Sequence, residues 1–251
     1  MDAAPIEGDD TDIETGSGLT VGQLWRYPVK TLAGERLGET DLTDDGIPGD
    51  RVIHVRGPEG VRTSRTQSDL LGLHGSIDPD GRTTVDGYPW DSSDALALVQ
   101  GAAGDDAWLA AYDGPERFDI LPLLVATDGA IAEFGRDVRR LRPNIVIAGV
   151  EGMDERTWPG GMLHIGEAVI GLDSLRPRCP MTTVDPDTLE RDPGVLRDIA
   201  RRFRGLLALN AEVLVPGHIH VGDPVVLVRE HERPVHASRP GRPDIPRLSP
   251  S

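Results

Sequence analysis

Met162-Leu-His-Ile-Gly-Glu-Ala-Val-Ile-Gly-Leu172 reads as a β-hairpin, with apolar residues on both arms of a turn at Gly166-Glu167. The same grammar extends outward. Upstream, residues 144–148 are apolar after Asn144 and follow Arg142-Pro143, so they read as a buried strand entered from a stiffened corner. Downstream, 212–215, 219–221 and 224–228 are short strand candidates punctuated by Gly or Pro. The N-terminal part repeats the pattern. Residues 19–27 stop at Pro28, 51–56 follow the turn Gly46-Ile-Pro-Gly-Asp50, and 61–65, 74–78 and 82–86 are further candidates. Three helices interrupt. The first, 93–112, carries Leu96, Val99, Ala103, Ala107, Trp108 and Ala111 at a rough helical period broken by Gly101 and Gly104. The second, 128–141, is capped by Asp128, with Ile131, Phe134 and Val138 on one face and arginines near its end. The third runs to about Arg204, with Asp192 as cap and Pro193 in its first turn. Many short strands, few helices and no βαβ alternation indicate an α+β fold dominated by β structure, a barrel or sandwich and not a doubly wound sheet.

The chain has 251 residues and a net charge of −16, which argues against nucleic acid and anionic membrane surfaces as partners. Residues 1–18 carry six acids and no Lys or Arg, and are expected to form a disordered acidic tail; 230–251 form a Pro/Arg-rich tail. The N-terminus has no basic segment followed by an apolar one, and no stretch reaches the roughly 20 apolar residues of a membrane span, so a soluble cytoplasmic protein is expected. A single cysteine excludes an intramolecular disulfide and a CxxC zinc site. Neither GxGxxG nor GxxxxGK[ST] opens a helix, leaving nucleotide folds without support.

That cysteine, Cys179, lies in Leu175-Arg-Pro-Arg-Cys-Pro-Met-Thr-Thr-Val-Asp-Pro-Asp187, and the single lysine, Lys30, in Trp25-Arg-Tyr-Pro-Val-Lys-Thr31; the other 25 basic residues are arginines. A free cysteine is most often a small buried residue. Here the flanking Arg176 and Arg178, the bracketing Pro177 and Pro180, and Thr182, Thr183 and Asp185 make a polar, stiffened loop. A thiolate is both a nucleophile and a soft metal ligand, and guanidinium neighbours favour that form. Most arginines are solvated surface residues, but Arg51, Arg142 and Lys30 stand where strands hand over to loops, where sites are usually built. With Arg176 and Arg178 they are candidate anion binders, since guanidinium grips phosphate bidentately and lysine acts as a point charge. The seven histidines are scattered, so one thiol cannot complete a protein-only zinc site. A metal at Cys179 needs most of its ligands from an organic cofactor, such as a pterin dithiolene bearing a phosphate.

Over residues 19–229 the sequence resembles the MOSC family (molybdenum cofactor sulfurase C-terminal domain). Its N-terminal part is similar to the β-barrel domain preceding MOSC in the mitochondrial amidoxime-reducing component and its bacterial relatives, through Tyr-Pro-Val-Lys-Thr31, Gly49-Asp-Arg51 and Thr63-Ser-Arg65. The C-terminal part matches over Arg142-Pro-Asn-Ile-Val146, Trp158, Leu163-His-Ile-Gly166, Arg178-Cys-Pro-Met-Thr-Thr-Val-Asp-Pro-Asp187, Pro216-Gly217 and Val221-Gly-Asp223. The resemblance implies a MOSC-like barrel core at 116–229 and a smaller β-rich domain at 19–115. It implies that Cys179 ligates molybdenum, that Lys30, Thr31, Arg51, Arg142 and Asn144 contact the pterin and its phosphate, that Asp119 lies near the cofactor, and that Arg178, Thr182, Thr183 and Asp185 shape the loop around the metal. The implied activity is reduction of N-hydroxylated small molecules, with electrons from a separate flavin, haem or iron–sulfur protein, the molybdenum cofactor (Mo-molybdopterin) doing the hard chemistry.

Two other readings use the same residues. Cys179 can carry a persulfide, or deliver the molybdenum cofactor, as a carrier. Alternatively, the chain is a non-catalytic binding module with a structural cysteine. Stoichiometric molybdenum favours the enzyme, labile sulfane sulfur the carrier, and ligand binding that survives Cys179→Ser the module.

Overall fold

Met162–Ile165 pairs antiparallel with Ala168–Pro177, so the hairpin forms where the alternation places it, with Gly166 at φ +57° in its turn. This is a computed structural model, describing residues 18–112, 114 and 117–229; the expected tails 1–18 (Gly18 apart) and 230–251 lie outside the described residues. The hairpin sits in an eight-stranded sheet, in the order Val225–Val228, Met162–Ile165, Ala168–Pro177, Leu206–Val215, Leu123–Thr127, Ile145–Ala148, Thr20–Arg26 and Glu35–Leu37. Its neighbours are antiparallel except Leu123–Thr127 beside Ile145–Ala148, which run parallel across the helix Asp128–Phe134. The sheet curls until the start of Thr20–Arg26 meets the Val225–Val228 end. Thr20 bridges Pro224, the Val21 amide donates to the Asp223 carbonyl at 2.9 Å, and the Val225 amide donates to the Leu19 carbonyl at 2.9 Å. Closure of this kind removes exposed strand edges.

The inward residues of this barrel, among them Val21, Leu24, Leu123, Val125, Ile145, Ile147, Leu163, Ile165, Ile170 and Leu209, form the larger core together with Trp158. All five residues of Leu123–Thr127 are buried, because Leu123 and Val125 face that core while Leu124 and Ala126 pack with Ala208 and Ile131 on the opposite face. Burial on both faces explains an unbroken apolar run in place of alternation. A second core gathers Val29, Leu32, Ile53, Val55, Leu70, Val85, Val99 and Ala107. It lies between the helix Ser93–Ala103 and two small sheets. One joins Trp108–Ala111, Ile53–Gly57, Val29–Lys30 and Gly60–Val61; the other joins Gly75–Ile77, Thr83–Val85 and Tyr88–Pro89. The molecule is thus α+β and strand-dominated. Among the described residues no helix is long and apolar enough to cross a membrane.

Three element expectations are corrected. The helix expected over 93–112 ends at Ala103: Gly104 turns to φ +100° with its amide on the Gln100 carbonyl, and Trp108–Ala111 becomes a strand paired with Ile53–Gly57. The helix expected over 128–141 ends at Phe134, where Gly135 takes the left-handed conformation at φ +65°; Val138–Arg140 is a separate 3-10 turn. Its cap is Thr127, whose Oγ1 accepts from the Ala130 amide at 3.2 Å, while the Asp128 carboxylate reaches across to the Gly149 and Val150 amides at 2.8 and 3.0 Å. Of the strand expected over 61–65 only Val61 is in a ladder; Thr63-Ser-Arg65 belongs to a turn in which the Thr66 and Gln67 amides bond the Thr63 carbonyl.

The third helix, Pro193–Phe203, follows its sequence signals. Asp192 Oδ1 accepts from the Gly194 amide at 2.8 Å, and Val195, Ile199 and Phe203 bury one stripe against Phe134, Leu141 and Leu207. Asp192→Ala is expected to lower the unfolding free energy by ~1 kcal/mol, the usual worth of an N-cap. Urea unfolding with an unchanged m-value is the check, and a loss below about 0.3 kcal/mol would mean that the helix is held by packing alone.

Candidate functional site

Where the two cores meet, a cavity of about 300 Å³ is lined by residues from both halves of the chain, Lys30, Arg51, Arg65, Asp119, Arg142, Arg176, Arg178 and Cys179 among them. Cys179 lies just past the strand Ala168–Pro177, in extended backbone, and Pro180 opens the 3-10 turn Pro180–Thr183. That turn is tied to the cysteine. The Thr182 hydroxyl and amide both donate to the Cys179 carbonyl, at 2.9 and 3.1 Å, and the Thr183 hydroxyl donates to the Pro180 carbonyl at 2.6 Å. Asp185 accepts from the Asp187 and Thr188 amides at 3.0 Å each and pairs with Arg140 at 2.6 Å. These three residues hold the loop and do not line the cavity.

Arg178 is anchored by its amide on the Gly205 carbonyl at 2.9 Å and by Nη2 on the Leu141 carbonyl at 2.7 Å. Its Nε is buried with no hydrogen-bond partner among the described residues, and burial pushes the guanidinium down to about 10, against the opposing pull of Cys179. An uncompensated N–H of this kind is costly unless something accepts it.

On the facing wall, Arg142 and Arg51 share the ring of Tyr27, their guanidinium carbons 4.2 and 5.1 Å from its centroid. The ring is fixed at both ends: Tyr27 Oη donates to the Pro143 carbonyl at 3.1 Å, and the Tyr27 amide donates to Asp50 Oδ1 at 2.7 Å. Asp50 is fully buried, pairs with Arg51 through Oδ2, and accepts there from Asn144 Nδ2 at 3.2 Å. Asn144 also donates to the Trp25 carbonyl at 3.3 Å and accepts from the Leu124 amide at 3.1 Å. Its side chain is therefore committed to protein partners, and it acts on the cavity by holding Asp50 and Arg51. Burial pushes Arg142 down to about 10, with Arg51 adding like-charge repulsion. Thr31, Arg51 and Arg142 all adopt positive φ, at +84°, +55° and +57°. The Thr31 hydroxyl donates to Ser64 Oγ at 2.8 Å, pinning the turn that carries Lys30.

Among the described residues, Asp119 is the one acidic residue in the lining. It meets Lys30 at 3.2 Å, Arg65 at 3.0 Å and Arg176 at 3.0 Å. Burial would raise its carboxyl, but these three cations outweigh it and hold the group below the usual carboxylate range. Arg65 in turn carries both Asp119 and the Cys179 thiol as neighbours. Among the described residues, six basic side chains against one carboxylate make this cavity strongly positive in a chain of net charge −16. A pocket of that sign selects a multiply charged anion.

Of the twelve residues singled out from sequence, the structure brings nine to the cavity: Lys30, Thr31, Arg51, Asp119, Arg142, Asn144, Arg176, Arg178 and Cys179. Arg65 joins them and, with Lys30 and Arg176, completes the clamp on Asp119. It stands in the motif Thr63-Ser-Arg65 quoted above, which is the signal that marks it. Tyr27 opens the quoted motif Tyr-Pro-Val-Lys-Thr31, but its role as a shared platform emerges only from the structure.

Residues 127–226 match the MOSC domain. The mitochondrial amidoxime reducing component 2 of Rattus norvegicus is 33% identical over 230 residues, an alignment covering 67% of this chain and 68% of that protein. The chain belongs to the MOSC family. The mitochondrial amidoxime reducing component 2 of Macaca fascicularis is 31% identical over 126 residues, and there the chain spans only 37% of the relative's length and matches with 43% of its own. A molybdenum cofactor sulfurase of Drosophila grimshawi is 24% identical over 268 residues, covering 82% of this chain and 34% of that protein. The MOSC match takes in Arg142, Asn144, Arg176, Arg178 and Cys179, whereas Lys30, Thr31, Arg51, Arg65 and Asp119 precede it.

Proposed function

We propose that this MOSC protein binds a molybdenum–pterin cofactor in the positive cavity and reduces N-hydroxylated small molecules. The observation that carries the reading is the meeting of a lone thiol with six basic side chains around one cavity. The residues fit the group. Cys179 supplies one soft thiolate, the cations suit a phosphate, and the buried Arg178 Nε still has an N–H to give. When bound, the metal supplies the two-electron chemistry that cleaves an N–O bond and releases water.

The chain's own residues do the rest. Cys179 would hold the metal, on a loop kept rigid by Thr182, Thr183 and Asp185. Lys30, Arg51 and Arg142 would bind the pterin and its phosphate, Arg142 and Arg51 being pre-aimed by Tyr27. Asp119 keeps Lys30, Arg65 and Arg176 converging, so their mutual repulsion is offset before any ligand arrives. Asn144 is a positioning residue through Asp50. Ile120 and Leu121 give the cavity an apolar lip that a small organic substrate can meet. Each N–O bond reduced consumes two electrons and two protons, for which a separate flavin, haem or iron–sulfur protein is the proposed electron source.

The test is the molybdenum-to-protein ratio of the chain expressed in a host that makes the cofactor. Wild type is expected near one to one and Cys179→Ser at least about tenfold lower. Negligible metal in both, with a loaded MOSC control, would overturn the reading. A carrier is the second reading, supported by the similarity to a molybdenum cofactor sulfurase. It requires sulfane sulfur on Cys179 that cyanide releases, in protein lacking stoichiometric molybdenum.

A further inference from the structure

Away from the cavity lining, the strands Glu39–Leu42 and Gly217–His220 form a two-stranded ribbon whose Leu42 and Ile219 join the larger core. Side chains alternate across it: Thr40, Leu42 and Ile219 turn inward, while Glu39, Asp41, His218 and His220 turn to solvent on one face. His220 stands directly opposite Glu39, and His218 opposite Asp41. The histidines that looked scattered in sequence thus share a face with carboxylates.

The contacts are ordered. His218 Nδ1 bonds Asp41 Oδ1 at 2.7 Å, and its Nε2 faces Glu39 Oε2 at 3.6 Å. His220 Nδ1 lies 3.5 Å from Asp223 Oδ2, and its Nε2 lies 3.0 Å from the same Glu39 Oε2. Each imidazole therefore has one nitrogen against an outer carboxylate and the other against a shared central one. With Nδ1 donating outward, each neutral imidazole sets its Nε2 lone pair beside a Glu39 carboxylate oxygen, a repulsive contact that either a ring proton or a metal ion between them relieves. Carboxylate–histidine–metal relays have this arrangement, the outer carboxylate fixing the tautomer that leaves Nε2 free to ligate. The spacing also suits it. One ring nitrogen of each histidine and a Glu39 oxygen lie within 4.8 Å of one another, and ligand atoms around a zinc ion sit roughly 3.3 Å apart.

We propose that Glu39, His218 and His220 form a divalent cation site of the zinc class, oriented by Asp41 and Asp223. Two imidazoles and a carboxylate suit Zn²⁺ in preference to Mg²⁺ or Ca²⁺. The site is a clamp, not a reaction centre. It joins a strand near the start of the chain to one near the end of the described residues, beside the closure where Val21 meets Asp223 and Gly222. Its ligands are exposed, with 43%, 52% and 62% of the His218, His220 and Glu39 side chains open to solvent, so the ion exchanges readily with solution.

The experiment is a titration of the full chain, tag removed and chelator-treated, with ZnCl₂ by calorimetry and thermal unfolding. It is run in a Cys179→Ser background so that the thiol does not compete. One equivalent is expected to bind, with Tm rising by about 5 °C or more at a hundredfold excess over Kd. His218→Ala/His220→Ala is expected to retain the metal-free Tm and to lose at least tenfold in affinity, and Glu39→Gln to weaken binding as well. No saturable binding up to millimolar zinc, or equal affinity in the double variant, would overturn the proposal. Because no arm depends on molybdenum, the result stands apart from the function proposed above.

Discussion

Asp50→Ala is expected to lower the unfolding free energy by about 3 to 5 kcal/mol, the scale for removing one partner of a buried ion pair. Asp50 is completely buried and serves three neighbours: the Tyr27 amide at 2.7 Å, Asn144 Nδ2 at 3.2 Å, and the Arg51 guanidinium. Truncation leaves a cation, an amide N–H and a carboxamide without their acceptor in one place. The loss reaches the cavity too, because Arg51 and Tyr27 both depend on that carboxylate. Urea unfolding is the first measurement, and the double variant Asp50→Ala/Arg51→Ala is the informative companion. If the charge left behind dominates, the double variant is less destabilised than the sum of the singles, with a coupling of at least about 1 kcal/mol. Additive losses would assign the cost to packing instead.

Glu155→Gln has the second largest expected effect, and its size should depend on pH. Glu155 is fully buried; Oε2 accepts from the Thr127 amide and hydroxyl at 3.2 and 3.0 Å, and Oε1 from the Ala208 amide at 2.9 Å. The carboxylate thereby ties the strand Leu123–Thr127 to Leu206–Val215. A carboxamide has one oxygen, so its NH₂ must face an amide N–H on one side, at a cost of about 1 to 3 kcal/mol. Burial raises the Glu155 carboxyl above its ordinary value of 4.5, against the pull of its hydrogen bonds. The folded state therefore holds this proton more tightly than the unfolded chain. That contribution is complete below about 4.5 and is lost as pH rises through the higher folded value. The glutamine variant has no such proton to lose, so the stability gap between wild type and variant should narrow as pH increases across this window. A gap that widens with pH would show that the ionised carboxylate is the favoured buried form.

Alternation and turn residues were enough to read the hairpin and the apolar strand after Arg142-Pro143, because each is specified by neighbours in the chain. Trp108–Ala111 was not legible. Its periodicity continues that of the preceding helix, and only the ladder offered by Ile53–Gly57, some fifty positions away, makes it a strand. Gly104 and Gly135 were visible as breaks, but glycine inside a helical pattern signals a stop only when the chain beyond it has somewhere else to bond. The candidate site was more legible than the fold, since Cys179, Lys30, Arg51 and Arg142 are marked by residue type and by their place at strand ends. What sequence left unread was the division of labour. Asn144 turns inward to Asp50, and Thr182, Thr183 and Asp185 brace their own loop, because side-chain direction depends on backbone geometry that local pattern does not fix. The His-Ile-His of the two-stranded ribbon is an i, i+2 pattern, and it becomes meaningful only once Glu39 is known to lie across from it.

Thr31, Arg51 and Arg142 hold their side chains at the cavity from left-handed backbone, a conformation that costs a residue with a Cβ roughly 1 to 2 kcal/mol. Glycine would relieve that cost at each position, and in doing so would delete a hydroxyl that pins the lysine turn and two of the six cations. That relief is opposed by the contacts these side chains make, because Arg51→Gly strands the buried Asp50 carboxylate and Thr31→Gly cuts the hydrogen bond to Ser64. Easing the backbone here is therefore expected to lower the melting temperature and open the pocket together, so thermostabilising this scaffold means leaving the three turns alone.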